Sequence, residues 1–148
     1  RAPLCTDYQR WQVCGMPPPS SGGIAVAQIL GTLQALEARD THYALAPLKP
    51  VKTNAPAGIE PDPQAVHLIS EAERLAYADR AQYVADTDFV PVPVKGLVDP
   101  SYLAGRAALI GERSMGTAEP GTPPGIQVAY APDRSPLRIS TSRWSADD

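Results

Sequence analysis

Met16-Pro17-Pro18-Pro19-Ser20-Ser21-Gly22-Gly23-Ile24-Ala25-Val26-Ala27-Gln28-Ile29-Leu30-Gly31-Thr32-Leu33 is the stretch from which the rest of the chain can be read. Its prolines cannot enter a helix interior, because each lacks an N–H and clashes with the preceding turn. Behind them, Ser20 or Ser21 can cap the free N–H groups of a helix start. Ile24, Ala27, Leu30 and Leu33 then follow at three-residue steps, with Val26, Ile29 and Leu36 widening the stripe. This spacing predicts a buried helix over about 22–38. Gly22 and Gly23 weaken its first turn and predict close backbone approach by a neighbour.

Prolines punctuate the rest of the chain in the same way, leaving the windows 20–46, 64–90 and 101–119 free. Asp62-Pro63 puts a capping carboxylate before a proline at the first helical position, and a helix is predicted over about 63–85. Val66, Ile69, Ala72 or Glu73, and Ala76 form its apolar stripe, widened by Leu68, Ala72 and Leu75. Glu71, Glu73, Arg74, Asp79 and Arg80 fill the remainder, which reads as a solvated face. A third helix is predicted from Pro100 to Ile110, capped by Asp99, with Leu103, Ala107 and Ile110 inward. Leu45 to Pro61 reads as a surface loop, Phe89 to Val94 as an extended edge segment, and Gly111 to Pro136 as a mobile Gly/Pro-rich segment. Tyr8 to Cys14 reads as a strand, with weaker strands at Ile126–Tyr130 and Leu137–Thr141. No internal repeat is visible.

Composition narrows the function classes. The formal charge is −3 over 148 residues and no basic run occurs, which argues against a nucleic-acid footprint. Leu, Ile, Val and Phe make up about a fifth of the chain, near the border below which chains stop folding alone, while proline reaches seventeen residues. The apolar run from Gly22 to Leu36 is too short and too polar to span a bilayer. Arg1 without a preceding Met predicts an opening inside a longer protein or after processing, and no signal peptide is read at its start.

The chemistry-bearing residues are few. Cys5 and Cys14 match no zinc-ribbon spacing, and His42 and His67 make no ligand pair, so neither a structural metal nor a cofactor is expected. The two cysteines would be free thiols inside a cell and a local disulfide in an oxidising compartment, and composition leaves both open. His67 precedes Glu71 by four residues on the predicted helix, the spacing of a surface hydrogen bond. Glu71 and Glu73 are two apart and point to different faces. Ser20 to Gly23 could hold an anion at a helix start, but the Walker-type lysine is missing and capping is the simpler reading.

A longer pattern joins these pieces. Val13-Cys14-Gly15-Met16-Pro17-Pro18-Pro19-Ser20-Ser21-Gly22-Gly23 resembles a signature of the gamma-glutamyltranspeptidase family, and Ile24 to Leu33 resembles the helix that follows it. Glu71-Ala72-Glu73-Arg74-Leu75-Ala76-Tyr77-Ala78-Asp79-Arg80 resembles the family's second helix. Asp86-Thr87-Asp88-Phe89-Val90, then Val92-Pro93, Leu97 and Tyr102, resembles the stretch after it. Order and spacing agree over residues 8–110.

The resemblance implies an α+β piece of an N-terminal-nucleophile hydrolase, an αββα sandwich. Such a precursor cuts itself into a large and a small subunit. The new N-terminal Thr then cleaves gamma-glutamyl amides such as glutathione through an acyl-enzyme, resolved by water or an acceptor amine. On that map residues 1–140 are the C-terminal part of the large subunit, and 141–148 are the start of the small one, truncated or altered. Ser140-Thr141-Ser142-Arg143-Trp144-Ser145 resembles the family's nucleophile run, with Thr141 as nucleophile and Ser140–Thr141 as the scissile bond. Arg143 stands where the family has His, and Ala146-Asp147-Asp148 stands where an apolar strand belongs. The family's arginine for the substrate α-carboxylate maps upstream of Arg1. Its oxyanion glycines and glutamyl-binding Asp and Ser residues map downstream of Asp148, so no turnover is expected of this chain alone.

Partners implied are the remainder of the large subunit, the small subunit, and glutathione or another gamma-glutamyl compound, with no nucleic acid and no membrane span. Family members are commonly exported, which implies a periplasmic or extracellular site, with a cytoplasmic one left open, and favours a Cys5–Cys14 disulfide. A cephalosporin-acylase-like amide hydrolase is the neighbouring alternative. A truncated, non-catalytic remnant and a Pro-rich interaction protein are the others; the last requires Pro17 to Pro19 to be exposed.

Overall fold

The computed structural model describes residues 1–45, 49–51, 58–60 and 62–126. The predicted strands at Ile126–Tyr130 and Leu137–Thr141, apart from Ile126 itself, and the whole run from Ser140 to Asp148 lie outside the described residues.

The chain opens with a hairpin, β1 (Leu4–Tyr8) against β2 (Trp11–Gly15), antiparallel with Tyr8 opposite Trp11. The single strand predicted from Tyr8 to Cys14 is therefore corrected: it is broken by a two-residue turn, Gln9-Arg10. Gln9 takes φ +52°, the left-handed conformation such loops demand and glycine or asparagine usually supplies. Without either residue, the turn leaves no mark in the sequence. Cys5 faces Cys14 across the ladder and the two are joined by a disulfide. Closing a loop of this length contributes about 2–3 kcal/mol through the unfolded state. Reductant, or Cys5→Ser with Cys14→Ser, is accordingly expected to lower the thermal midpoint by several degrees, and an unchanged midpoint would count against the bond.

The helix α1 (Gly22–Arg39) lies against the hairpin. A Cβ on Gly23 would stand 2.4 Å from the Met16 carbonyl oxygen, so the predicted close approach occurs there. Ser21 occupies the N-cap position without bonding the helix N–H groups; its hydroxyl instead accepts from Arg80 Nε at 2.8 Å. Pro18 is buried and Pro19 exposed, so the triplet is partly packed rather than displayed. A 3-10 turn (Thr41–Tyr43), started by the Asp40 carboxylate, ends this part. The stretch predicted as a plain loop contains a second hairpin, β3 (Lys49–Val51) and β4 (Gly58–Glu60).

Three further helices follow: α2 (Pro63–Tyr83), α3 (Val94–Leu97) and α4 (Pro100–Ala107). Asp62 and Asp99 accept backbone N–H bonds at the starts of α2 and α4, each followed by proline, as the sequence predicts. Phe89 to Val94 joins no sheet: Asp86 closes a turn there, and Phe89 is 85% exposed. Helices α2 and α4 both pack on α1, around Leu33, Leu36, Leu68, Ala72, Leu75, Ala107 and Ile110. The face of α2 differs from the predicted stripe. Leu68, Ala72, Leu75 and Ala76 turn inward, whereas Val66 and Ile69 are 48% and 36% exposed. The described residues thus form a mixed α+β piece, and no helix among them is long and apolar enough to cross a membrane.

Candidate functional site

Polar residues placed in phase with the apolar stripes make the unusual part of this molecule. Gln28 follows Ile24 by four on α1, Glu71 and Asp79 flank Leu75 by four on α2, and Arg106 follows Leu103 by three on α4. Helical periodicity turns all of them inward, and all are buried. The solvated face predicted for α2 is therefore corrected at Glu71 and Asp79. Burying a charge is costly unless it is paired and hydrogen-bonded, and each of these carboxylates is.

Asp79 Oδ2 accepts from Gln28 Nε2 at 2.9 Å and from the Tyr102 hydroxyl at 2.7 Å. Its Oδ1 accepts from the Gly121 N–H at 2.8 Å and lies 3.0 Å from the Arg106 guanidinium. An ionised carboxylate has about four lone-pair sites, so Asp79 is saturated and has none left to accept a proton from a substrate. Arg106 also donates to the carbonyls of Leu75 and Glu119. Glu71 accepts from the Ser114 hydroxyl at 2.9 Å, the Met115 N–H at 2.8 Å and Arg74 Nε at 3.0 Å.

These bonds converge on residues 111–126, which have no regular structure of their own. His67 meets the Gly111 carbonyl oxygen at 2.7 Å rather than pairing with Glu71. Arg74 donates to the Gly116 carbonyl at 2.8 Å, and the Tyr83 hydroxyl to the Gly121 carbonyl at 2.6 Å. Positions 67, 71, 74, 79 and 83 of α2 thus meet positions 111 to 121 in the same order, so the segment runs as a strap alongside the helix. At its far end a Cβ on Gly96 would stand 1.8 Å from the Pro124 carbonyl oxygen, so only glycine fits under it. The mobile segment predicted from Gly111 is therefore, over its described part, fastened down. Its glycines and prolines prevent a helix or ladder, and side chains from α2 and α4 supply the partners instead.

The electrostatics give this clamp a pH window. Burial alone would raise the Glu71 carboxyl, but the bonds from Met115, Ser114 and Arg74 outweigh it and hold the pKa below the ordinary value. Its stabilising contribution is complete above the unfolded pKa of about 4.3 and is lost as pH falls through the lower folded value. Burial, followed by the bond to Asp79 and its charge, pushes the Tyr102 phenol up. That contribution is present below about pH 10 and is lost as pH rises further. Thermal midpoints measured across pH are expected to fall on both sides. Glu71→Gln should flatten the acid limb and Tyr102→Phe the alkaline one, and variants that keep the parent's curve would contradict the assignment.

A shallow cavity of about 300 Å³ opens between the hairpin and the start of α1, lined by residues that include Thr6, Val13, Met16, Ser20, Gly23 and Val26. None of the residues lining it is ionisable, so it adds no charged group to the anion site weighed for Ser20 to Gly23. Thr141, Ser142 and Arg143 lie outside the described residues. Among those residues, no group of three or more His, Cys, Asp or Glu side chains could hold a metal ion. The buried carboxylates and their partners hold the backbone of residues 111–121. Gln28, Tyr102 and Arg106 were missed as members; for Gln28 and Arg106 the signal was a polar residue in phase with an apolar stripe.

Comparison with known proteins agrees with this architecture. A sequence profile described as gamma-glutamyltranspeptidase matches residues 1–141, and the chain belongs to that family. The glutathione hydrolase proenzyme of Escherichia coli is 37% identical over 102 residues, which cover 69% of this chain and 15% of that protein. The Acylase ACY 1 proenzyme of a Pseudomonas species is 38% identical over 110 residues, covering 74% of this chain and 17% of that one. Among solved structures, the gamma-glutamyltranspeptidase from Pseudomonas nitroreducens complexed with L-DON matches at TM-score 0.60 and 35% identity, over 81% of this chain and 32% of that one. The chain thus spans less than a fifth of the length of these two proenzymes.

Proposed function

We propose that this chain is a segment of a gamma-glutamyltranspeptidase-like precursor, with residues 1–140 closing the large subunit and Thr141 opening the small one. The observation that carries the reading is the family match over residues 1–141, which reaches the Ser140–Thr141 bond. The proenzyme names of the relatives support a chain that is cut after synthesis. In the precursor, Thr141 Oγ attacks the Ser140 carbonyl carbon, and the acyl group moves from nitrogen to oxygen. Water then hydrolyses the ester, leaving a Ser140 carboxylate and a free Thr141 amine. That amine takes the proton of the neighbouring hydroxyl, which is why such a nucleophile stands at a chain start. Thr141 Oγ next attacks a gamma-glutamyl amide and the amine departs protonated. Water or an acceptor amine releases the glutamyl group from the resulting ester.

The remainder of the large subunit and the small subunit are the partners, and glutathione or a related gamma-glutamyl compound is the substrate. The Cys5–Cys14 disulfide supports a periplasmic or extracellular site. A cephalosporin-acylase-like hydrolase is the second reading, supported by the comparable identity to an acylase proenzyme. Turnover of a gamma-glutamyl anilide against a cephalosporin side-chain amide separates the two. The test of the shared mechanism is Thr141→Ala in the full-length precursor. It is expected to leave the precursor uncut and reduce turnover to background, and a variant that still matures and turns over would contradict the reading.

A further inference from the structure

The Cys5–Cys14 bond takes no part in the clamp or in the proposed self-cleavage, yet both of its cysteines are exposed. We propose that this disulfide is an exchange site for low-molecular-weight thiols: glutathione, or the thiol dipeptide left when its gamma-glutamyl group is removed. The inference rests on the proposed substrate being such a compound.

Three observations carry it. Along the hairpin Leu4, Thr6, Tyr8 and Val13 are half-buried, whereas Cys5, Asp7, Gln12 and Cys14 are exposed. Successive side chains of a strand point to opposite faces. Thr6 and Val13 line the cavity shared with Val26 and Ala27 of α1, so the two half-cystines stand on the face turned away from that helix. The next pair on the outer face, Asp7 and Gln12, is itself in solvent, with Asp7 Oδ1 accepting from Gln12 Nε2 at 3.4 Å. Exposed disulfides are the labile ones, because a thiolate must reach a sulfur to exchange with it. The hairpin also has supports besides the bond. Its strands stay paired from Leu4–Gly15 to Tyr8–Trp11, and Tyr8 packs on the helical core. Opening the disulfide therefore leaves the two cysteines opposite each other, placed to close again.

The exchange has two steps. A thiolate attacks one of the two sulfurs; the protein S–S bond breaks as a mixed disulfide forms, and the other cysteine leaves as a thiolate and takes a proton. A second thiolate attacks the small-molecule sulfur of the mixed disulfide and frees the remaining cysteine. Two thiols are thereby oxidised to their disulfide, and the protein cystine is reduced to two thiols. The oxidised small disulfide reverses both steps. Cleaving the gamma-glutamyl amide also changes the thiol. It frees an amine next to the thiol-bearing carbon, and the resulting ammonium favours the thiolate. While the thiol pKa lies above the ambient pH, the gain in thiolate outweighs the loss of intrinsic nucleophilicity. The dipeptide product is thus the faster partner.

The experiment adds glutathione, or cysteinylglycine in a second arm, to the full-length protein, both native and unfolded in urea. Samples are quenched with acid and alkylated, and the peptides carrying Cys5 and Cys14 are mapped by mass spectrometry. A bond shut in by the fold would react only through opening, roughly a thousandfold or more slowly than in the unfolded chain. The native protein is expected to react within about thirtyfold of the unfolded rate, since the sulfurs are already accessible. Cysteinylglycine should react faster than glutathione, and oxidised glutathione should restore the bond. A native rate more than about thirtyfold below the unfolded one overturns the proposal, as does a reduced pair that oxidised glutathione fails to close. A cysteinylglycine rate no higher than that of glutathione overturns the choice of the product as the faster partner. Turnover of a gamma-glutamyl anilide is followed on the same protein. Slow exchange with turnover intact removes this inference alone; fast exchange without turnover leaves the exchange site standing and removes the substrate reading beneath it.

Discussion

Asp79→Ala is expected to destabilise the chain by about 3–5 kcal/mol, the usual cost of removing one partner from a buried ion pair. Asp79 is fully buried, and its salt-bridge partner Arg106 is 6% exposed. Removing the carboxylate leaves a guanidinium inside the lobe facing the Gln28 amide and the Tyr102 hydroxyl, both of which were donating to Asp79. The guanidinium then keeps only the neutral Leu75 and Glu119 carbonyls, and its Nε has no partner among the described residues. Chemical denaturation followed by circular dichroism measures the loss. Arg106→Met in the same background should recover part of it, since the stranded charge goes with the side chain. A loss below about 1 kcal/mol would mean that the pair is solvated.

The second large effect is expected at Leu36→Ala, at about 3–4 kcal/mol, from lost transfer energy plus the cavity left behind. Leu36 is wholly buried on α1 and belongs to the cluster shared by all three long helices. Because α2 and α4 each pack on α1, the vacated volume borders both contacts. The chain has few large apolar residues to repack into it. The same denaturation measurement applies, and a loss near that of an exposed site such as Val66→Ala would show that α1 is not the central packing element.

The helices were legible because their punctuation is chemical. Pro19, Pro63 and Pro100 mark where helices cannot yet have begun or can just begin, and Asp62 and Asp99 provide caps that bond as their positions predict. The first hairpin was not legible, because Gln9 adopts a left-handed turn conformation without being glycine or asparagine. The face of α2 was misread for a different reason. Hydropathy sends Glu71 and Asp79 outward, whereas their partners turn them inward, and those partners are distant in sequence: Gln28 is 51 residues from Asp79, and Ser114 is 43 from Glu71. Of the partners named for these two carboxylates, only Arg74, three residues from Glu71, is local. The family signature was legible because a proline triplet, paired serines and paired glycines coincide with a helix start, and the later helix repeats the agreement.

The most direct measurement of the account is the intact mass of the pieces formed when the full-length precursor matures. Cleavage between Ser140 and Thr141 predicts a small subunit whose mass and N-terminal sequence begin at Thr141, with Ser142 and Arg143 next. A small subunit that begins at any other residue, or an uncut protein that turns over gamma-glutamyl amides, would contradict it.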